Sequence, residues 1–178
     1  MIKICSGHVT IRDFLKEDIP FKVAMINKKD NNRYLHYDLP LNNSNTLAWF
    51  NNKKNSTNRL DLTVLYDDAI VGVIGLLNID NKNKKAEYYV CIDIAFAGKG
   101  IGTISSNLLF KYAFEKMKLN KIYLFTEENN KIAQRLFEKL SFQKEGLLKD
   151  DIIYNNKKIN RFAYGLRKDE YYAKNNYS

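Results

Sequence analysis

Ala97-Gly98-Lys99-Gly100-Ile101-Gly102-Thr103 separates a β-rich run that ends near Ile94 from an amphipathic run that begins at Thr103. Glycine at every second position lets the backbone turn sharply and removes the Cβ atoms that would keep a ligand from the main chain. A helix start carries unpaired N–H groups and the positive end of the macrodipole. Strand, glycine turn and helix in that order therefore make a cradle for an anion, most simply a phosphate. An ordinary tight turn is also rich in glycine, and the loop alone does not choose between the two. The spacing excludes the two better-known phosphate loops. No Gly-Lys-Ser/Thr closes a Walker-type loop, and Ser105 stands where the last glycine of G-x-G-x-x-G would be.

Upstream of the loop, residues 60–66, 70–79 and about 86–94 read as three strands with short polar separators, which predicts an antiparallel meander. Val9 and Ile11 alternate with polar neighbours as in a half-buried strand over residues 8–12. Asp18 offers an N-cap, with Pro20 in the first turn, for a helix carrying Phe21, Val23, Ala24 and Ile26. Residues 27–45 read as irregular, and a second helix follows from Ser44 or Asn45 through Leu47, Trp49 and Phe50. Downstream, Ile104, Leu108, Leu109, Tyr112, Ala113 and Met117 make a helical apolar stripe. The continuous apolar run Ile122-Tyr123-Leu124-Phe125 predicts a fully buried strand. Ile132, Ala133, Leu136, Phe137 and Leu140 give another helical face, and residues 146–154 and 158–166 close as a hairpin turning at Asn155-Asn156.

The chain has 178 residues, enough for one domain spanning 1–178 to bury its own core. Cys5 and Cys91 lie far apart and no Cys/His cluster has metal-ligand spacing, which predicts a reduced, cytoplasmic setting and no structural metal. No apolar run reaches the length of a membrane span, and Met1-Ile2-Lys3-Ile4 leads into polar residues, so a soluble, unexported chain is expected. The net charge of +9 invites a nucleic-acid reading. The lysines are instead scattered through Lys/Asn-rich turns such as residues 81–85 and 155–158, which favours solvated surface and makes nucleic acid a poor partner.

Gly100 and Gly102 match the acetyl-CoA pyrophosphate loop of the GCN5-related N-acetyltransferases, usually Arg or Gln-x-x-Gly-x-Gly or Ala, with Ala97 in place of the first side chain. Asn130-Lys131-Ile132-Ala133-Gln134-Arg135-Leu136-Phe137-Glu138-Lys139-Leu140-Ser141-Phe142 resembles that family's Asn-x-x-Ala-x-x-Leu-Tyr-Glu-x-x-Gly-Phe. The order of elements is similar over nearly the whole chain. Ala86-Glu87 and Glu145-Gly146-x-Leu148 resemble the branch holding ribosomal-protein alanine, spermidine and nucleotide-amino-sugar acetyltransferases.

The resemblance implies an α/β (α+β) fold with a mixed, mostly antiparallel sheet flanked by helices. It implies acetyl-CoA as co-substrate, a small-molecule amine as acceptor, no metal, and a homodimer as one possible assembly. On the cofactor side it implicates Ile92 and Ile94 on the strand, Ala97, Gly98, Lys99, Gly100, Ile101, Gly102 and Thr103 in the loop, and Asn130, Phe137 and Lys139 beyond it. Glu87 is the implied general base, acting directly or through a water, with partial desolvation by Tyr88 and Tyr89 expected to raise its pKa; a solvent-facing Glu paired with Lys85 or a cross-strand lysine is the competing reading. Asn130 serves as an N-cap, a cofactor contact, or both.

Phe137 stands where many relatives carry a Tyr that protonates the departing thiolate. A thiol pKa near 8.5 lets water suffice. Acceptor contacts are expected from residues 27–58, where Arg33, Tyr34, His36, Tyr37 and Trp49 compete with a packing role. Only Asp30 and Asp38 supply carboxylates in the stretch from Asn27 to Asn58, which favours a nucleotide-linked amino sugar or an anionic small amine over a polyamine, with a protein N-terminus also open. Two classes of function stand: an acetyl-CoA-dependent N-acetyltransferase, or a non-catalytic protein binding CoA or RNA. The transferase further requires the strands flanking the loop and its following helix to part company, leaving a slot for pantetheine.

Overall fold

A computed structural model describes residues 1–36, 38–53 and 56–175; Tyr37 lies outside them. The chain opens with β1 (Lys3–Ser6) and β2 (Val9–Asp13), then α1 (Ile19–Asn27), the one-turn α2 (Lys29–Asn32) and α3 (Asn43–Lys53). The meander follows as β3 (Leu60–Tyr66), β4 (Ala69–Asp80) and β5 (Lys85–Ile92). Beyond it come α4 (Ile101–Glu115), β6 (Lys121–Glu127), α5 (Lys131–Lys139), β7 (Gln143–Tyr154), β8 (Lys157–Arg167) and α6 (Lys168–Asn175). One sheet of eight strands runs β1-β2-β3-β4-β5-β6-β8-β7, antiparallel except where β5 meets β6. No helix among the described residues is long and apolar enough to cross a membrane.

The expected strand at residues 8–12 is thus the second arm of a hairpin. Lys3-Ile4-Cys5-Ser6 pairs with it through a turn in which Gly7 takes φ +55°. The four-residue arm is too short and too exposed to carry an alternating pattern.

Helices cover both faces of the sheet. On one, α4, α5 and α6 close over Ile11, Leu62, Ile74, Leu76, Ala86, Tyr88, Ile122 and Leu124. On the other, α1 and α3 close over Phe14 and Val73, with Tyr89 and Cys91 against them. Asp18 stands at the start of α1, as expected, but makes no side-chain cap bond to it. Its carboxylate instead takes both guanidinium nitrogens of Arg12 (2.6 and 2.8 Å), the Thr63 hydroxyl (2.6 Å) and the Leu15 N–H (2.9 Å).

Three apolar faces differ from expectation. The buried line of α4 is Ile101, Ser105, Ser106, Leu109, Phe110, Ala113 and Phe114, with Ile104 at 36% exposure, so the stripe is rotated. The two serines can be buried because their hydroxyls bond back to the carbonyls of Ile101 and Gly102. On α5, Ile132 is 75% exposed, and Gln134, Phe137 and the following Leu140 are buried. Strand β6 alternates, with Ile122, Leu124 and Thr126 buried and Tyr123 and Phe125 half-buried.

Candidate functional site

The glycine loop is fixed at both ends. Strand β5 stops at Ile92, two residues earlier than expected, and Asp93 caps a single 3-10 turn over Ile94–Phe96 by accepting from the Ala95 N–H (3.2 Å). Gly98 and Gly100 adopt φ +80° and +73°, where a Cβ would meet no atom within 4 Å. Glycine is needed there for the left-handed backbone and not for space. Gly102 is different: it lies inside α4, and a Cβ would touch Leu136 at an ordinary 3.7 Å.

Gly100 is the N-cap of α4 and offers no side-chain acceptor, so the first amides of a fifteen-residue helix face outward with the positive dipole end behind them. The Lys99 ammonium lies over Tyr66 (5.2 Å) and Phe96 (5.5 Å). Thr103 and Lys139 line one cavity of about 200 Å³ together with Asn107, Ser141, Tyr171 and Lys174.

The two strands do part company beside the loop. Strands β5 and β6 pair only over Lys85–Glu87 against Lys121–Tyr123, and from Tyr88 onward the β5 edge has no β6 partner. Glu87 sits at the point where the strands diverge, opposite Tyr123. It is half-buried and accepts a hydrogen bond from Asn78 Nδ2 (2.8 Å); the Lys85 ammonium points instead toward the Tyr123 ring (5.7 Å).

The expected influence of Tyr88 and Tyr89 on Glu87 is corrected by the pleat. Tyr88 turns to the opposite face, 3% exposed, with its hydroxyl 2.5 Å from Ser106 Oγ. Tyr89 shares the Glu87 face but donates to Asp61 (2.7 Å). Tyr123 is the aromatic neighbour that matters: burial raises its hydroxyl pKa, and the charges of Glu87 and Asp80 raise it further.

The other residues singled out in the sequence are distributed as follows. Asn130 is the N-cap of α5, accepting from the Ala133 N–H (3.1 Å). Ile92 is half-buried at the end of β5. Ile94 is 49% exposed, but its N–H already donates to Asn31 Oδ1 (2.9 Å). Phe137 is 7% exposed among Tyr88, Phe142 and Tyr164. Trp49 packs edge-on against Phe14 (5.8 Å) with the Lys22 ammonium 3.6 Å from its ring centre, which makes it a wall of the core and not a free platform.

Tyr34 reaches the Asn129 carbonyl (3.3 Å), and His36 meets Glu127 at the end of β6 (2.9 Å) and the Tyr154 ring of the β7–β8 hairpin (5.1 Å). The face that residues 27–58 border at this end of β6 is therefore not built from them alone. Glu87, Tyr123, Phe125 and Glu127 alternate onto it from the sheet. Reading residues 27–58 in isolation missed these carboxylates, because only the pairing of β5 with β6 brings them to one face. Among the described residues no group of His, Cys, Asp and Glu could hold a metal ion.

Comparison with known proteins gives one family. Residues 8–143 match the model of the acetyltransferase (GNAT) domain. YdaF of Bacillus subtilis, which carries the name of a ribosomal N-acetyltransferase, is 33% identical over 114 residues, covering 64% of this chain and 62% of that protein. Spermidine N(1)-acetyltransferase of Escherichia coli K12 is 26% identical over 162 residues, covering 82% of this chain and 86% of that protein. The crystal structure of the Vibrio cholerae spermidine N-acetyltransferase in complex with CoA and spermine superposes with a TM-score of 0.87 at 21% identity, covering 94% of this chain and 99% of that one. At that identity the likeness is one of fold.

Proposed function

The chain belongs to the GNAT acetyltransferase family, and we propose that it moves the acetyl group of acetyl-CoA to a primary amine of a small cationic molecule, with Glu87 as general base. The observation that carries this reading is the end of the β5–β6 ladder at Glu87 and Tyr123, beyond which the β5 edge runs from a carboxylate to a glycine loop with no β6 residue paired to it.

The loop amides from Gly98 to Thr103 and the N-terminal end of α4 suit a pyrophosphate. The open edge from Tyr88 to Ile92 is about 16 Å long at about 3.3 Å per residue, matched to a pantetheine arm and carrying backbone groups to pair with its amides. The cavity beside Thr103, Lys139 and Lys174 suits the remaining phosphate of the nucleotide. A thioester held along that edge has its carbonyl near the fork, where Glu87, oriented by Asn78, takes the proton as the amine attacks. The C–S bond then breaks and the sulfur leaves as thiolate. Phe137 has no proton to give, and with a thiol pKa near 8.5 water completes the step.

Two carboxylates lie on this face of the fork: Glu87, opposite Tyr123, and Glu127 at the end of β6, which already meets His36 (2.9 Å). This favours a cationic, polyamine-like acceptor over a nucleotide-linked amino sugar. The test is release of CoA thiol from acetyl-CoA with spermidine, a nucleotide-linked amino sugar, or a peptide with a free N-terminus. We expect release with spermidine, and Glu87→Gln to lower kcat by about 100-fold while acetyl-CoA binding stays intact. Undiminished turnover in Glu87→Gln, or bound acetyl-CoA with no release for any acceptor, overturns the reading. Release with the amino sugar alone overturns the acceptor class.

A further inference from the structure

The elbow between α1 and α2 is fastened to the residue that starts the glycine loop. Asp93, 4% exposed, accepts from Lys28 Nζ (2.5 Å) and from Asn31 Nδ2 (3.3 Å), while the same carboxylate caps the turn at Ala95. Its own N–H donates to the Val71 carbonyl (2.8 Å), which ties it to the end of the β4–β5 ladder. Asn31 makes a second attachment one residue on, accepting the Ile94 N–H at 2.9 Å, and its amide nitrogen also donates to the Met25 carbonyl at the end of α1 (2.9 Å). Two side chains from the acceptor-side helices thus hold Asp93 and Ile94, the first two residues after β5 on the way to the loop.

The clasp is made at an exposed elbow. The α2 turn has no buried residue, and Lys28 is half-exposed. Its fixed contacts converge on the point where an extended strand must give way to a left-handed loop at a defined distance from the fork at Glu87. We infer that Lys28 and Asn31 are positioning residues for acetyl-CoA. By holding Asp93 and Ile94, they set where the strand edge ends and where the loop amides point. This rests on reading the loop as the pyrophosphate site.

The physical reason is preorganisation. A loop that must be ordered at the moment of binding loses affinity by the cost of ordering it, and a loop already held does not. Neither side chain touches the ligand in this account. Their removal therefore weakens binding without removing a contact to acetyl-CoA.

The test is the Kd of acetyl-CoA by calorimetry on the full chain, with thermal melting run in parallel. Lys28→Met and Asn31→Ala are each expected to raise Kd by about five-fold or more, while Lys28→Arg, which keeps the charged donor, restores binding close to wild type. Both losses pass through Asp93, so the double variant is expected to fall short of the product of the single effects. A purely structural role would lower the melting temperature and leave Kd unchanged. Folded Lys28→Met and Asn31→Ala proteins that bind acetyl-CoA as tightly as wild type overturn the inference, as does failure of Lys28→Arg to restore binding. Absence of acetyl-CoA binding in the wild type overturns the pyrophosphate reading itself.

Discussion

Replacing Lys22 by Met is expected to stabilise the protein, and the structure allows the size of the effect to be worked out. Lys22 is 9% exposed on α1, with its ammonium 3.6 Å from the centre of the Trp49 ring and 5.5 Å from that of Phe14. The carboxylate whose charge favours this ammonium, Asp61, is already taken by Arg59 (2.8 Å twice), Lys53 (3.1 Å) and the Tyr89 hydroxyl (2.7 Å). Burial dominates, the attraction of Asp61 only partly offsets it, and Lys53 and Arg59 repel, so the pKa falls from 10.5 to about 8. At 1.36 kcal/mol per pKa unit, keeping this ammonium charged at pH 7 costs about 3 kcal/mol.

The interaction with Trp49 returns about 1–2 kcal/mol of that. Met is flexible and apolar and fits the same slot. The net gain expected for Lys22→Met is therefore about 1–2 kcal/mol at pH 7, or a rise of several degrees in Tm for a chain of this length. The sign of the pH dependence follows. The folded protein releases the Lys22 proton near pH 8 and the unfolded chain only near 10.4, so the penalty is full below pH 8 and fades between about 8 and 10.4. Urea unfolding of both proteins from pH 7 to 10 isolates this group from the tyrosines and Cys91, which titrate in both. A variant less stable than wild type at pH 7, or a gap between the two that does not narrow as pH rises, refutes the reasoning.

Ser141 occupies a left-handed position (φ +72°) at the C-terminal end of α5, where the Phe142 N–H bonds the Phe137 carbonyl, the Ser141 N–H bonds that of Glu138, and the Phe137 and Phe142 rings meet at 6.0 Å. Ser141→Gly is expected to add about 0.5–1 kcal/mol, read from urea midpoints, and a loss of stability would contradict the strain argument. Asp18→Asn, which leaves the Arg12 guanidinium without its counter-charge, is expected to cost about 3 kcal/mol at pH 7. Burial raises the Asp18 pKa, but Arg12, the Leu15 N–H and Thr63 together hold it below the usual range, so its contribution is full above about pH 4 and declines as the pH falls from there through the lowered folded value; a wild-type advantage that does not shrink as the pH is lowered below about 4 would contradict this. Phe137→Tyr restores a hydroxyl, and if water serves as the acid in the wild type, any gain in CoA release should be larger at pH 6.5 than at pH 9, above the thiol pKa.

The readable parts of the fold were those in which cause and effect lie close together in the chain. The positive-φ demand of Gly98 and Gly100, the Asn155-Asn156 turn (φ +48° and +59°) and the meander of β3, β4 and β5 are all settled within a few residues of the side chains responsible. The missed features depend on distant partners. Ser105 and Ser106 count as polar until their carbonyl and Tyr88 partners are known, so the apolar stripe of α4 was read rotated from the buried one, which keeps Leu109 and Ala113. Lys28 and Asp93 are 65 residues apart, and His36 and Glu127 are 91. No pattern in a window of the sequence can report such contacts.

Strand β6 shows how the two kinds of information combine. Its run Ile122-Tyr123-Leu124-Phe125 is continuous and apolar, the mark of a strand covered on both faces. In the structure Ile122 and Leu124 are covered, while Tyr123 and Phe125 are only half-buried, because β5 turns away after Glu87 and α1 and α3 close over the other half of the sheet. A strand bordering a ligand slot needs apolar side chains on the open face if the slot is to exclude water from the thioester. It also needs a polar residue where proton chemistry takes place. In the mechanism proposed above Glu87, one strand away and opposite Tyr123, meets the second need, and it is recognisable only through the register that places the two side by side. An apolar run that proves half-exposed was therefore the trace of the slot in the sequence, and the parallel pairing of three residues converts that trace into a site.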